Sequence, residues 1–91
     1  MNSNSILIDV RTPEEYSRGH IPGAINIPNE TITNIPPKQL PDKNAEILSY
    51  CQSGMRSEQA VTKLKSMGYA NVKNIGGIMN WTGDVKTGMQ P

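Results

Sequence analysis

An apolar, β-branched run at residues 6–10 and a second predicted strand at 46–50 are each followed closely by the start of a helix. Short runs of this kind are typical of strands buried in a parallel sheet. After the first run, Thr12 and Glu15 have the spacing of a capping box, and Pro13 suits the first helical position. Strands that alternate with helices pack as a parallel sheet with helices on both faces, joined by right-handed crossovers. The pattern therefore predicts an α/β fold.

The rest of the chain continues this alternation. The helix after the second run is predicted to end at Gly68 and to bury one face, formed by Ala60, Val61, Leu64 and Met67. The remaining predicted elements are strands at 24–27 and 71–75, turns at 20–23 and 76–77, and a short helix at 78–81. Residues 28–44 contain four prolines and predict a surface connection with one helical turn near 30–35. We expect one domain, residues 1–91, with a small parallel sheet of about four strands flanked by helices.

Composition limits the classes of partner and compartment. The 91 residues are 35% hydrophobic and include no Phe, so we expect one compact core. Nine Lys and Arg balance eight Asp and Glu, and the basic residues do not cluster. The charge pattern therefore gives no indication of binding to nucleic acid or to an anionic membrane. A single cysteine cannot form an internal disulfide, and residues 1–20 lack the apolar core of a signal peptide or membrane span. A cytoplasmic location is the default, although an export signal removed from a longer precursor would leave the same sequence.

The lone cysteine, Cys51, stands at the carboxyl end of a predicted strand and just before a helix. In parallel α/β domains such junctions direct backbone N–H groups and the positive end of a helix into one concavity. Gly54 allows the backbone geometry in which successive amides converge, and Arg56 adds a positive charge at the rim. These features predict a thiolate nucleophile at neutral pH. An inert buried thiol is the competing interpretation, but it leaves the glycine and the arginine without a role.

The other residues of this junction have weaker signals. Ser53 and Ser57 are expected to cap the N-terminus of the following helix. The side chains of Gln52 and Met55 are expected to face outward, because the amides of the same loop turn inward. We expect these two side chains to influence which donor or acceptor is accepted.

Three segments resemble the single-domain rhodaneses, a family of thiosulfate or persulfide sulfurtransferases. These are IDVRTPEEYSRGHIPGAINIP at 8–28, CQSGMRS at 51–57 and NIGGIMNW at 74–81, and the resemblance extends from residue 6 to about residue 81. It implies a rhodanese-like fold in which Cys51 takes a sulfane sulfur from thiosulfate or a persulfide donor. The resulting persulfide would pass the sulfur to an acceptor such as cyanide or a thiol, and no metal or organic cofactor is implied.

The resemblance also implies which residues bind the substrate. The predicted substrate-binding residues are those of the loop after the nucleophile: Gln52, Ser53, Gly54, Met55 and Arg56. The loop amides would hold the transferred sulfur, and Arg56 would donate charge-assisted hydrogen bonds to thiosulfate oxygens. Because Arg56 is the only positive charge inside the loop, we expect modest attraction for thiosulfate and a preference for a persulfide donor.

Two alternatives remain open at this stage. Phosphatases and arsenate reductases of related architecture place their arginine one residue later, which widens the cradle for a tetrahedral oxyanion. Such a phosphatase also needs a general acid for its leaving group, and no carboxylate can be singled out for that task from the sequence. Rhodanese-like domains can also act as non-catalytic interaction modules, but those are recognised by loss of the cysteine.

Residues outside the loop are interpreted as structural. Asp9 and Arg11 are expected to hold the first helix through an ion pair or a backbone contact, with Glu15 as a candidate partner of Arg11. His20 lies in a turn and is expected to be scaffold, without a second metal ligand. Met79 and Trp81 are expected to pack, and one of them could close the mouth of the pocket.

The beginning of the chain departs from the family pattern. Rhodanese domains usually have a further strand and helix of about twenty residues before the strand at 6–10, and here only residues 1–5 precede it. We therefore expect some normally covered apolar surface to be exposed, or to be shared with a second copy in a homodimer.

Overall fold

The computed structural model describes residues 4–91. Its strands are β1 (Ile6–Asp9), β2 (Ile25–Asn26), β3 (Glu46–Cys51) and β4 (Asn71–Gly77). Its α-helices are α1 (Pro13–Arg18) and α2 (Met55–Ser66), and two 3-10 helices span Asn29–Thr31 and Ile78–Asn80. Within residues 4–91 the four strands form one parallel sheet in the order β2-β1-β3-β4. The predicted α/β fold and strand number are confirmed.

Side chains alternate between the two faces of the sheet, and each face has its own apolar cluster. On one face, Ile8 and Ile47 belong to a cluster that includes Leu64 of α2. On the other, Leu7 and Leu48 belong to a cluster completed by α1 and the turn after it. Successive residues of a strand point to opposite faces, so one strand contributes to both clusters. The sheet is therefore covered on both sides, as a parallel sheet requires.

The start of α1 has the predicted capping box. The hydroxyl of Thr12 accepts the backbone N–H of Glu15, and the Glu15 carboxylate accepts the backbone N–H of Thr12. This arrangement satisfies two N–H groups that would otherwise lack partners at the helix end. It also fixes the position of the Glu15 side chain, which is important for the site described below.

Two predicted elements differ from the structure. The helical turn expected near 30–35 is the 3-10 turn Asn29–Thr31. The turn expected at 76–77 is wrong, because both glycines belong to β4 and pair with the end of β3. The pairing register shifts between Ser49 and Tyr50, which is the mark of a bulge, and Gly76 has a φ of 101°. The bulge lets the strand continue where the sequence indicated a turn.

The packing expected for two residues near the last 3-10 helix is also wrong in part. The Met79 side chain is 63% exposed and that of Trp81 is 38% exposed. The indole N–H of Trp81 donates to the carbonyl of Asp84, a local contact three residues away. These side chains therefore lie mostly on the surface instead of filling the core.

His20 is part of the scaffold, as predicted. It is fully buried and its ring stacks on that of Tyr16 with the centroids 3.7 Å apart. Its Nδ1 lies 2.8 Å from the carbonyl oxygen of Tyr16, and its Nε2 lies 2.9 Å from that of Gln90. A backbone bridge to Lys86 completes the contact. The C-terminal segment thus folds back onto α1.

Among residues 4–91, none of the helices combines the length and the apolarity needed to cross a bilayer. The same part of the chain contains no group of three or more His, Cys, Asp and Glu side chains placed to hold a metal ion.

Candidate active site

Cys51 is the last residue of β3 and is only 1% exposed. Its Sγ accepts the backbone N–H of Gly54 at 3.0 Å and that of Ser57 at 3.4 Å. The first of these groups belongs to the loop, and the second belongs to the first turn of α2. The structure therefore brings together a sulfur atom, converging amides and the positive end of a helix, as the sequence predicted.

The loop follows this path because glycines permit it. Gly54 is the N-cap of α2 and has a φ of 109°, a left-handed conformation that favours glycine. Its carbonyl accepts a hydrogen bond from the side-chain amide of Asn74 in β4 at 3.0 Å. The backbone N–H of Met79 donates to the carbonyl of Gln52 at 3.3 Å. The loop is thus held from the β4 side as well as from α2.

The predicted helix caps at Ser53 and Ser57 are wrong. The N-cap is Gly54, and α2 has no side-chain cap. Ser57 is buried, and its hydroxyl donates to the hydroxyl of Ser49 at 2.8 Å. This bond joins the first turn of α2 to β3 and so fixes the backbone N–H of Ser57 near the sulfur.

The loop side chains face outward. Gln52, Ser53 and Met55 are all exposed, and Met55 is 74% exposed. This placement agrees with the expectation for Gln52 and Met55, because the backbone amides occupy the inner side of the loop. Chemically, the arrangement offers a sheltered sulfur nucleophile and N–H donors for an anionic group attached to it.

Arg56 is paired with Glu15 of α1, a partner 41 residues away in sequence. Its two Nη atoms bind the two carboxylate oxygens at 2.6 and 2.9 Å, and both side chains are about one-third exposed. The hydrogen bond with Arg56 lowers the pKa of Glu15 to about 2, and the same bond raises the pKa of Arg56. The pair connects α1 to the loop, and it leaves less unbalanced charge on Arg56 than the sequence suggested.

We expect Glu15→Gln to remove part of the acid sensitivity of the fold. Because the folded-state pKa of Glu15 lies below its ordinary value of 4.5, the pair stabilises the protein above about pH 4.5. That stabilisation is lost as the pH falls towards 2. Solvent screens this partly exposed pair, so we expect a contribution of about 1 kcal/mol. Urea unfolding at pH 7 and pH 3 measures it. If the wild type and Glu15→Gln lose the same free energy of unfolding between pH 7 and pH 3, the stabilisation does not come from the Glu15–Arg56 pair.

Arg11 pairs with Asp9, so the expected pairing with Glu15 is wrong. The Arg11 Nη2 lies 2.7 Å from the Asp9 carboxylate and 2.6 Å from the carbonyl oxygen of Gly19. Burial disfavours the charged guanidinium, but the hydrogen bond and the charge of Asp9 together raise the pKa of Arg11. Glu15 is not available, since it binds Arg56. The pair holds the end of β1 against the end of α1, which agrees with a structural role.

A cavity of about 360 Å³ opens beside the loop. It is lined by Arg11, Glu15, Arg18, Gly19, Gln52 and Ile78. Gln52 follows Cys51 directly in the chain, and Glu15 binds Arg56 in the first turn of α2, so the cavity lies beside the loop. No functional role was predicted from the sequence for Glu15 or Arg18. Their position on α1 could have indicated one. This helix follows β1, and it can reach the carboxyl end of the neighbouring strand β3, where Cys51 lies.

Several known proteins are similar to this chain in sequence and fold. The thiosulfate sulfurtransferase PspE of Escherichia coli is 45% identical over 71 residues, which cover 78% of this chain and 68% of that protein. The thiosulfate:glutathione sulfurtransferase of Saccharomyces cerevisiae is 39% identical over 88 residues, covering 85% of this chain and 63% of that protein. A solved structure of a rhodanese with anions from E. coli has a TM-score of 0.84 at 39% identity, covering 92% of this chain and 99% of that chain.

These similarities confirm the prediction of a rhodanese-type sulfurtransferase. The persulfide step and the nature of the donor and the acceptor stay predictions. The model of the rhodanese-like domain family matches residues 1–84. With the parallel sheet, the Cys51 loop and these relatives, the chain belongs to the rhodanese-like domain family.

Proposed function

We propose that this chain moves a sulfane sulfur from a small anionic donor to a thiophilic acceptor through a persulfide on Cys51. The observation that carries the proposal is the pair of backbone N–H groups, from Gly54 and Ser57, that point at the Cys51 Sγ. Donors in this position stabilise negative charge on the sulfur. The solved rhodanese that was described with anions supports an anionic donor, and the two sulfurtransferases named above support thiosulfate.

The first step forms the persulfide. The Cys51 thiolate attacks the outer sulfur of thiosulfate, a new S–S bond forms, and the S–S bond of thiosulfate breaks. Sulfite leaves with the electron pair of that bond, so no oxidant or reductant is needed. The negative charge then lies on the outer sulfur of the persulfide. The amides of the loop Gln52, Ser53, Gly54, Met55 and Arg56 would stabilise it there.

The second step regenerates the enzyme. Cyanide or a thiolate attacks the outer sulfur of the persulfide, and the Cys51 thiolate leaves with the electron pair. Cyanide gives thiocyanate, and a thiolate gives a new persulfide. The cycle requires Cys51 to be reduced at the start, which agrees with a location in the reducing cytoplasm.

The pairing of Glu15 argues against the phosphatase or arsenate-reductase alternative. A cysteine-dependent phosphatase needs a protonated general acid near its nucleophile. Glu15 binds the loop arginine and lines the cavity, but the hydrogen bond with Arg56 lowers its pKa to about 2. The carboxylate is therefore ionised at neutral pH and has no proton to donate. Retention of Cys51 likewise argues against a purely non-catalytic module.

Initial-rate kinetics test the proposed cycle. Because sulfite leaves before the acceptor binds, double-reciprocal plots for thiosulfate at several cyanide concentrations should be parallel. Sulfite should also form in one burst, equal to the enzyme present, when cyanide is omitted. Intersecting lines, or sulfite release that requires cyanide, would contradict a covalent intermediate.

A further inference from the structure

Arg18 provides an unbalanced positive charge at the cavity beside the loop. It is the last residue of α1, and its side chain is exposed. Within residues 4–91 its guanidinium forms no side-chain hydrogen bond and no ion pair. The other charged groups at the cavity are matched, because Glu15 binds Arg56 and Arg11 binds Asp9. The charge left over at this cavity is therefore the charge of Arg18.

Arg11 provides an unused hydrogen-bond donor at the same cavity. Its Nε and Nη2 atoms bind Asp9, and Nη2 also binds the carbonyl of Gly19, which leaves Nη1 without a hydrogen bond among residues 4–91. In that part of the chain no fully buried side-chain nitrogen or oxygen lacks a hydrogen bond. Nη1 must therefore reach solvent, although the residue is 4% exposed. The cavity is the opening that this side chain lines.

Gln52 connects this cavity to the nucleophile. It lines the cavity, it is exposed, and it follows Cys51 directly in the chain. Its side-chain amide has no hydrogen bond with any of the described residues. An anion held between Arg18 and the Arg11 Nη1 would therefore lie next to the loop that carries the sulfur. A guanidinium is well suited to this task, because its planar N–H groups match the oxygen atoms of an oxyanion.

We infer that the cavity lined by Arg11, Arg18 and Gln52, here called the α1 pocket, binds the sulfonate end of the sulfur donor. Arg18 is the residue that selects an anionic donor, and the inference rests on the proposed function. The sulfonate oxygens accept hydrogen bonds from Arg18 and from the Arg11 Nη1, while the outer sulfur of the donor is directed towards Cys51. After the transfer, sulfite leaves from the same pocket. Thiosulfate is then a better donor than the loop alone suggests, because Arg18 adds a charge from outside the loop.

Replacement of Arg18 tests the inference through the Michaelis constant. We expect Arg18→Gln to raise KM for thiosulfate by about five- to tenfold and to leave kcat with saturating donor within about twofold. Added salt should raise KM in the wild type more than in the variant, because salt screens exposed charges. Arg18→Lys should restore part of the affinity for thiosulfate, because lysine keeps the charge but lacks the planar geometry of the guanidinium.

The matched control is Lys65→Gln, which removes an exposed charge on α2 away from the pocket. Equal KM values in the wild type and Arg18→Gln, or an equal change in Lys65→Gln, would overturn the inference.

A binding measurement separates this inference from the reaction itself. Cys51→Ser cannot form a persulfide, so calorimetric titration with thiosulfate reports binding alone. We expect the Cys51→Ser protein to bind thiosulfate about five- to tenfold more tightly than the double variant that also carries Arg18→Gln. If this difference in binding is found but the wild type has no sulfurtransferase activity, the proposed function is contradicted and the α1 pocket is supported. If the two variants bind thiosulfate equally and the wild type is active, the inference about the α1 pocket is contradicted and the proposed function is supported.

Discussion

Cys51→Ser is expected to lower thiosulfate-dependent thiocyanate formation by about 10⁴-fold or more. The reason is that a serine hydroxyl stays protonated at neutral pH and is a poor nucleophile towards sulfur, whereas the reaction needs a thiolate. The loop has no second nucleophile to replace it, because Cys51 is the only cysteine of the chain. A coupled assay of thiocyanate with the purified variant measures the loss.

The same variant should remain folded, which makes the activity loss interpretable. The serine hydroxyl is smaller than the thiol, but it can accept the N–H groups of Gly54 and Ser57 that now contact the sulfur. We therefore expect its free energy of unfolding to stay within about 1 kcal/mol of the wild type. A folded Cys51→Ser protein that keeps a tenth of the activity would contradict the covalent mechanism.

Gly77→Ala is expected to reduce both stability and activity, because the end of β4 lies against the loop. A Cβ atom at this position would lie 2.2 Å from the carbonyl oxygen of Gln52 and 2.7 Å from the Cα of Ser53. Both neighbours are backbone atoms of the loop, so the loop has to move. We expect a destabilisation of about 2 to 3 kcal/mol and, through displacement of the loop amides, a loss of activity of at least about tenfold. Thermal unfolding and the thiocyanate assay measure the two effects.

Gly23→Ala is the matched control for this change. Gly23 has a φ of 91° and no atom within 4 Å of the added Cβ, so only backbone strain of about 1 kcal/mol is expected. Its turn lies outside the loop, and activity per folded molecule should be unchanged. If Gly77→Ala loses no more activity than Gly23→Ala, the close contact between β4 and the loop has no functional role.

Local signals in the sequence account for the elements that were predicted well. The capping box of Thr12 and Glu15 involves residues three apart, and the core strands β1 and β3 are short segments rich in apolar residues. The cradle at Cys51 was predictable for the same reason. Its sulfur, its glycine and the helix start lie within seven residues of one another, so their contacts follow from a single strand, loop and helix.

Contacts between distant residues could not be predicted in this way. Arg56 and Glu15 are 41 residues apart, and the two residues meet only because β1 and β3 are neighbours in the sheet. The charge of Arg56 was therefore expected to be free, and Arg18 was overlooked. Gly77 was assigned to a turn because a Gly-Gly pair is a strong local turn signal. In the structure Gly77 leaves room for the backbone of Gln52 and Ser53, where a Cβ atom would clash. A local sequence pattern cannot reveal a contact with a loop so distant in the chain.

Intact-mass spectrometry is the most direct test for a persulfide on Cys51. The purified protein and Cys51→Ser are each weighed before and after thiosulfate, and cyanide is then added. We expect the wild type to gain one sulfur atom, cyanide to remove it as an equal amount of thiocyanate, and Cys51→Ser to gain nothing. A folded wild type that gains no sulfur from thiosulfate or from a persulfide donor would contradict a persulfide on Cys51, as would sulfur gained by Cys51→Ser.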